Sequence, residues 1–428
     1  MSVINNKFFT GFLVTLMIGA LPPLLTMSSE IKSFSSGTLA CSVICILICL
    51  DKLKNIATLK KTFAYGFGLI VFYLLAQQLL IGAWQAKSYI SIPPLCINIL
   101  AAYLISLKLA KIDNKTLLSI CHYVFYFMVF LGLLNISTSY AIGKSLGYSH
   151  GQPMFPFLEP SHYALFLGPF TFIYSVTNRS WNKRLISLAI VTIISFLIPN
   201  TTLLTYVVIT SLALILTLKT TVALLAFPII IISASVGVNT VMSNEYFTSR
   251  LTFSSDTTNI TALVYLQGLQ DTQNSLQLTN GLGLGFQMLG TQPPSTYAFM
   301  IAKVMGNVNG ELNREDGGFL AAKIISELGY LGIYLMFAYL LYCFKCVIAI
   351  RRILIKHRIN DNISPLICYS IFTTFSVELF VRGVGYFSPG VFIFLIAFFY
   401  LLNEKRRAIS AKNQFAPKAG FLQTKANC

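Results

Sequence analysis

Apolar residues along this chain gather into long runs separated by short polar breaks, without the strict alternation that marks a half-buried strand. Such runs predict membrane-spanning helices, because a helix satisfies its own backbone hydrogen bonds and about 20 residues cross a hydrocarbon core. Twelve spans are expected, the first six near 9–27, 34–50, 62–84, 89–110, 116–135 and 162–177. The other six lie near 184–199, 202–218, 220–238, 326–349, 365–381 and 387–403. Several are short for a bilayer, so they are expected to borrow flanking polar residues or to sit tilted in a bundle.

The expected fold is therefore an all-α polytopic integral membrane protein with about 12 transmembrane helices, forming one transmembrane domain over residues 1–428. It carries an external loop at 136–160, a larger external loop at 238–325 and a basic tail at 404–428. Composition agrees: 55% of residues are hydrophobic, 11% are charged and the mean hydropathy is +0.72. The first apolar run lacks a small-residue cleavage site and is followed by further spans, so it predicts a first transmembrane helix rather than a removable signal.

The net charge of +17 would suit a nucleic-acid binder, but its distribution points elsewhere. Basic clusters such as "DKLKNIATLKK", "NRSWNKR", "RRILIKHR" and "EKRRAISAK" fall on alternate connections. With twelve spans, one side collects 23 Lys/Arg against 4 Asp/Glu, and the other 8 against 10, which is +19 against −2. Positive residues mark the cytoplasmic side, so both termini are expected there and no nucleic-acid partner is expected.

Nine cysteines suggest neither a disulfide framework nor a metal site. Cys41, Cys45 and Cys49 recur at helical spacing in an apolar run, where cysteine packs as a small hydrophobe. The CxxC of Cys343 and Cys346 has no second pair or nearby histidine. No DxD or HExxH motif occurs, so no metal and no cofactor are expected. No repeat relates the two halves, which weakens an inverted-repeat transporter reading.

In the large loop, "TALVYLQGLQDTQNSL" has helical apolar spacing, and "NGLGLGFQMLG" predicts a glycine-rich turn rather than a phosphate cradle. The loop is expected to form an ordered external cap. Ionisable groups on that side and near the bilayer include Glu159, His150, His162, Arg250, Arg314, Glu315, Asp316, Lys323, Glu327, Glu378 and Arg382. Lys323 with Glu327, and Glu378 with Arg382, are four apart and could pair along a helix.

Glu159 has no cation within four residues on either side. Pro160 suits the first helical position and Ser161 could cap, which puts the carboxylate at the positive end of the sixth span. There it is either a helix-capping anion or a base or hydroxyl-orienting group, with His150 and His162 as other candidate bases. Arg250, Arg314 and Arg382 suggest an anionic, phosphate-bearing ligand, since the guanidinium fork matches phosphate oxygens.

The segment "FLEPSHYALFLG" resembles the F-x-EPS segment before a central span in Wzy-type polysaccharide (O-antigen) polymerases of bacterial inner membranes. Arg250 entering the large loop, "ALVYLQGL", "GLGLGF", "DGGFLAAKIISELGYLGIYL" and the closing "FVRGVGYFSPG" follow in the family's order. The resemblance covers about 150–400; the first five spans are similar in hydropathy alone. It implies a glycosyltransferase that lengthens oligosaccharide repeat units carried on undecaprenyl pyrophosphate at the periplasmic face, building lipopolysaccharide O-antigen or a related surface polysaccharide. By the same resemblance Arg250, Arg382 and then Arg314 would hold pyrophosphate and Glu159 would accept or orient the hydroxyl proton. A chain-length regulator and a flippase are further implied partners. Two alternatives stay open: an O-antigen ligase that transfers the finished glycan to lipid A core, and a lipid-linked oligosaccharide flippase or transporter.

Overall fold

The computed structural model describes residues 2–28, 34–53, 61–82, 85–138, 154–218, 239, 241–251, 253, 257–306, 314–356 and 359–414. Every described regular element is a helix. The long apolar runs form α1 (Ser2–Ser28), α2 (Phe34–Ile48), the single turn α3 (Leu50–Leu53), α4 (Lys61–Ile81), α5 (Ala86–Leu109) and α6 (Asn114–Thr138). Next come α7 (Pro160–Thr177), α8 (Trp181–Leu197) and α9 (Thr201–Leu216). The large loop holds α10 (Glu245–Leu251), α11 (Ile260–Leu278), α12 (Thr296–Val304) and α13 (Leu320–Leu328). The chain then runs through α14 (Tyr330–Ile355), α15 (Ile363–Phe380) and α16 (Pro389–Gln414).

Among the described residues six helical stretches are long and apolar enough to cross a membrane: Lys7–Thr26, Ala64–Ile81, Ala86–Leu109, Asn114–Thr138, Tyr330–Ile355 and Asn360–Phe380. They point to a multi-pass membrane protein. Phe34–Ile48, Thr201–Leu216 and Pro389–Glu404 are apolar but shorter. The expected span at 220–238 lies outside the described residues, and the other eleven fall on helices. The tail expected from 404 continues α16 as far as Gln414.

Large apolar side chains lie on the outside of the bundle as well as in its core. On α4 and α14 the large apolar side chains Leu69, Phe72, Phe337 and Phe344 face outward, while Gln77 and Gln78 are buried. Inside, Ser42 donates to Asn98 Oδ1 at 2.9 Å, a polar contact between helices of the kind that replaces hydrophobic drive in lipid.

One helix stands at the centre. From Tyr163 to Thr177 every residue of α7 is buried, as expected for a helix apolar on all faces and ringed by partners. Gly168 admits the Tyr206 ring of α9 so closely that a Cβ there would lie 2.2 Å from it. Long-range bonds fix which helix ends share one end of the bundle. Ser364 bonds Asn114, joining the starts of α15 and α6, and Arg351 donates to the Leu216 carbonyl, joining the ends of α14 and α9. The connections at that end carry Lys108, Lys111, Lys115, Lys183 and Arg352, whereas Glu159 and the large loop lie at the opposite end.

The span expected at 326–349 is broken. Gly329, at φ +61° and ψ −136°, ends α13 and starts α14, so the amphipathic α13 belongs to the cap.

Candidate functional site

Glu159 is the residue before α7, in extended backbone, with Pro160 at the first helical position. Its carbonyl accepts from the His162 N–H at 3.1 Å, while its side chain makes no capping bond. The expectation that Ser161 caps the helix is not met: its hydroxyl donates to the Glu159 carboxylate instead. Asn200 fastens this corner, donating to the Pro160 carbonyl at 2.6 Å while its Oδ1 accepts from Leu203 N and caps α9. The Tyr163 hydroxyl, donating to the Met128 carbonyl at 2.8 Å, ties the first turn to α6.

Arg382 arrives from the other half of the chain. Helix α15 ends at Phe380, and the N–H groups of Val381 and Arg382 both return to the Val377 carbonyl, at 2.8 and 3.0 Å. Arg382 has therefore left the helix and does not pair with Glu378 along it. Its Nη2 sits 2.8 Å from Glu159 Oε1. Glu378 accepts from the Ser388 hydroxyl and is buried. The loop that carries Arg382 is pinned by Gly383, whose N–H donates to the Gly318 carbonyl and whose missing Cβ would lie 2.5 Å from Leu320 N.

The contacts of Glu159 converge on Oε1: Arg382, Ser161 and His162 Nε2, the last at 3.3 Å. Burial works against the charged carboxylate, but Arg382, His162 and the Ser161 hydroxyl outweigh it and hold its pKa down at about 2. The absent sequence-local cation is thus supplied from a distant segment, and Glu159 is an ionised ion-pair partner at neutral pH.

Arg250 completes the cluster. It lies in the last turn of α10, stacked on the Tyr246 ring with its guanidinium carbon 4.0 Å from the centroid. Phe247 anchors α10, packing edge-on against Phe196 at 5.4 Å. Burial lowers the Arg250 pKa, and the nearby Arg382 charge adds to that while Tyr246 and Glu159 oppose it. Arg250, Arg382, Glu159, Tyr246 and His162 thus form one electrostatic neighbourhood, with two guanidinium groups against one carboxylate.

Arg314 is elsewhere. It donates to the Gln292 carbonyl and faces Asp271, whose pKa is raised by burial and lowered again by Ser295 and Arg314. Its described contacts stay within the cap. His150 lies outside the described residues, and His162 is the candidate histidine that meets Glu159. His162 Nδ1 is buried without a hydrogen-bond partner among the described residues, beside the Phe34 ring at 5.0 Å.

Lys323 and Glu327 do pair, at 3.7 Å, and both are buried. Glu327 also accepts from Gln287 N at 2.9 Å and Leu289 N at 3.2 Å, so it anchors the cap. The glycine run is a turn, as expected: Leu284 N and Gly285 N donate to the Ser326 and Glu327 carbonyls at the α13–α14 break. Those donors are already engaged. Among the described residues no cysteine forms a disulfide, and none forms a metal-ligand cluster with His, Asp or Glu.

Compared with known proteins, the chain matches no family model, no curated sequence and no solved structure.

Proposed function

We propose that this chain is a twelve-span glycosyltransferase of the bacterial inner membrane, with both termini cytoplasmic, that polymerises repeat units carried on undecaprenyl pyrophosphate. The observation that supports this reading is the Glu159–Arg382 pair at 2.8 Å with Arg250 in its field, set at the end of the bundle away from the basic connections. A membrane helix bundle with paired arginines at one face suits a substrate that combines a lipid tail, a pyrophosphate and a sugar.

In the proposed reaction an acceptor hydroxyl oxygen bonds to the anomeric carbon of the donor. The bond from that carbon to the pyrophosphate oxygen breaks, and its electron pair leaves with the lipid pyrophosphate. Arg250 and Arg382 meet the charge that develops there, the largest demand once the leaving group is activated. The hydroxyl proton must go to a base or to water. A carboxyl with pKa about 2 is poorly matched to general base work at neutral pH, so Glu159 serves to orient the hydroxyl and to aim Arg382. His162 is the candidate base beside it.

Deletion of the gene tests the reading. Loss of a polymerase leaves single repeat units attached to the surface core. Loss of a ligase leaves no attached glycan and accumulates lipid-linked polymer, and loss of a flippase traps unpolymerised units inside; either result would refute the proposal.

A further inference from the structure

A cavity lies apart from this site, at the basic end of the bundle. About 590 Å³ in volume, it is lined by residues of α1, α2, α5, α6, α7, α15 and α16. That volume falls in the range of about 300–1,000 Å³ typical of small-ligand pockets. Its wall is apolar, with Val14, Ile120, Phe170, Ile371 and Ala397 among its residues. On α1 it runs from Lys7 to Ile18, eleven residues or about 16 Å along the helix axis.

Its three charged lining residues are Lys7, Lys108 and Lys111. They gather at one end, where α1 begins and α5 gives way to α6. Lys108 donates to the Ile48 carbonyl at 3.0 Å, which engages one of the three N–H donors of an ammonium group. The nearby Asp113 accepts from Thr116 N at 2.9 Å and interacts with the Lys7 charge, which leaves a rim of three cations against one carboxylate. A deep apolar slot with a cationic rim complements a molecule with a long hydrocarbon chain and an anionic head. Basic pockets between membrane helices on the positive side of a protein hold such lipids.

We infer that this cavity binds an anionic phospholipid from the leaflet at the basic end, its acyl chain between α1 and α15 and its phosphate at Lys7, Lys108 and Lys111. The site is separate from the Glu159–Arg382 cluster and does not depend on the proposed reaction. A bound chain there would brace α1 against the central α7.

The full chain, purified in detergent, would be titrated with phosphatidylglycerol and, separately, phosphatidylcholine, and lipid retention read by native mass spectrometry. The expected result is one phosphatidylglycerol per chain, held about tenfold or more tightly than phosphatidylcholine. Lys7→Ala, Lys108→Ala and Lys111→Ala together should reduce it to the phosphatidylcholine level. Ala397→Phe, which fills the slot without touching the charges, should displace both lipids while the chain stays monodisperse. Equal retention of the two lipids, or phosphatidylglycerol retention untouched in both folded variants, would overturn the proposal. So would preferential capture of a long isoprenoid phosphate over phosphatidylglycerol.

Discussion

Arg382 Nη2 lies 2.8 Å from Glu159 Oε1, across a separation of 223 residues in the chain. That contact joins the start of the central helix to the loop after α15, and it places a guanidinium where neither local segment alone would have predicted one.

The pair should behave as a unit. On the proposed function, Arg382→Ala is expected to reduce polymer formation by about 10²–10³-fold, the usual cost of removing a group that stabilises developing charge. Glu159→Gln should reduce it by less, and adding Glu159→Gln to Arg382→Ala should cost little more, because the shared interaction is already lost. Arg382→Lys should rescue only partly, since an ammonium cannot replace the fork. Surface-glycan chain length at equal protein level reads all four.

Protonation of Glu159 gives a signed pH prediction. Its carboxyl is held below its ordinary value of 4.5, at about 2. The pair's stabilisation should be complete above pH 4.5 and fade as pH falls toward 2. Glu159→Gln should lack that acid-side component, and the difference should be about 1 kcal/mol or less because both side chains remain partly exposed. Thermal unfolding of the detergent-solubilised protein between pH 5 and 3 would show it.

Much of this was legible in the apolar pattern. The runs at 89–110 and 116–135 coincide with α5 and α6, and the spacing of "TALVYLQGLQDTQNSL" coincides with α11. What escaped the sequence were contacts set by where helices stop. The four-residue spacing of Glu378 and Arg382 implies pairing only if the helix continues, and it ends at Phe380. The same spacing does hold for Lys323 and Glu327 because both lie within α13. The break at Gly329 was hidden inside an apolar run that continues on both sides. Arg314 stood third among the phosphate-binding candidates in sequence, and the fold turns it to Gln292 and Asp271 within the cap.

Cap seating should depend on Glu327. Glu327→Ala would strand the N–H groups of Gln287 and Leu289 and leave Lys323 buried without its carboxylate. A loss of about 3–5 kcal/mol is expected, with Glu327→Gln milder. Limited proteolysis should then cut within 279–290 far faster than in the unaltered chain.

Packing at the centre should be equally strict. Gly168→Leu would drive a side chain into the Tyr206 ring and should destabilise the bundle by about 1–3 kcal/mol or more. Gly66→Leu, where nothing lies within 4 Å of the added Cβ, is the control and should be near neutral in thermal unfolding.

The most direct test of the proposed activity is reconstitution of the purified chain alone into lipid vesicles with undecaprenyl-pyrophosphate-linked repeat units, followed by sizing of the lipid-linked glycans. A ladder of products two or more units long, lost in Arg382→Ala, is the expected result. Unextended single units with the unaltered, correctly folded chain would contradict it.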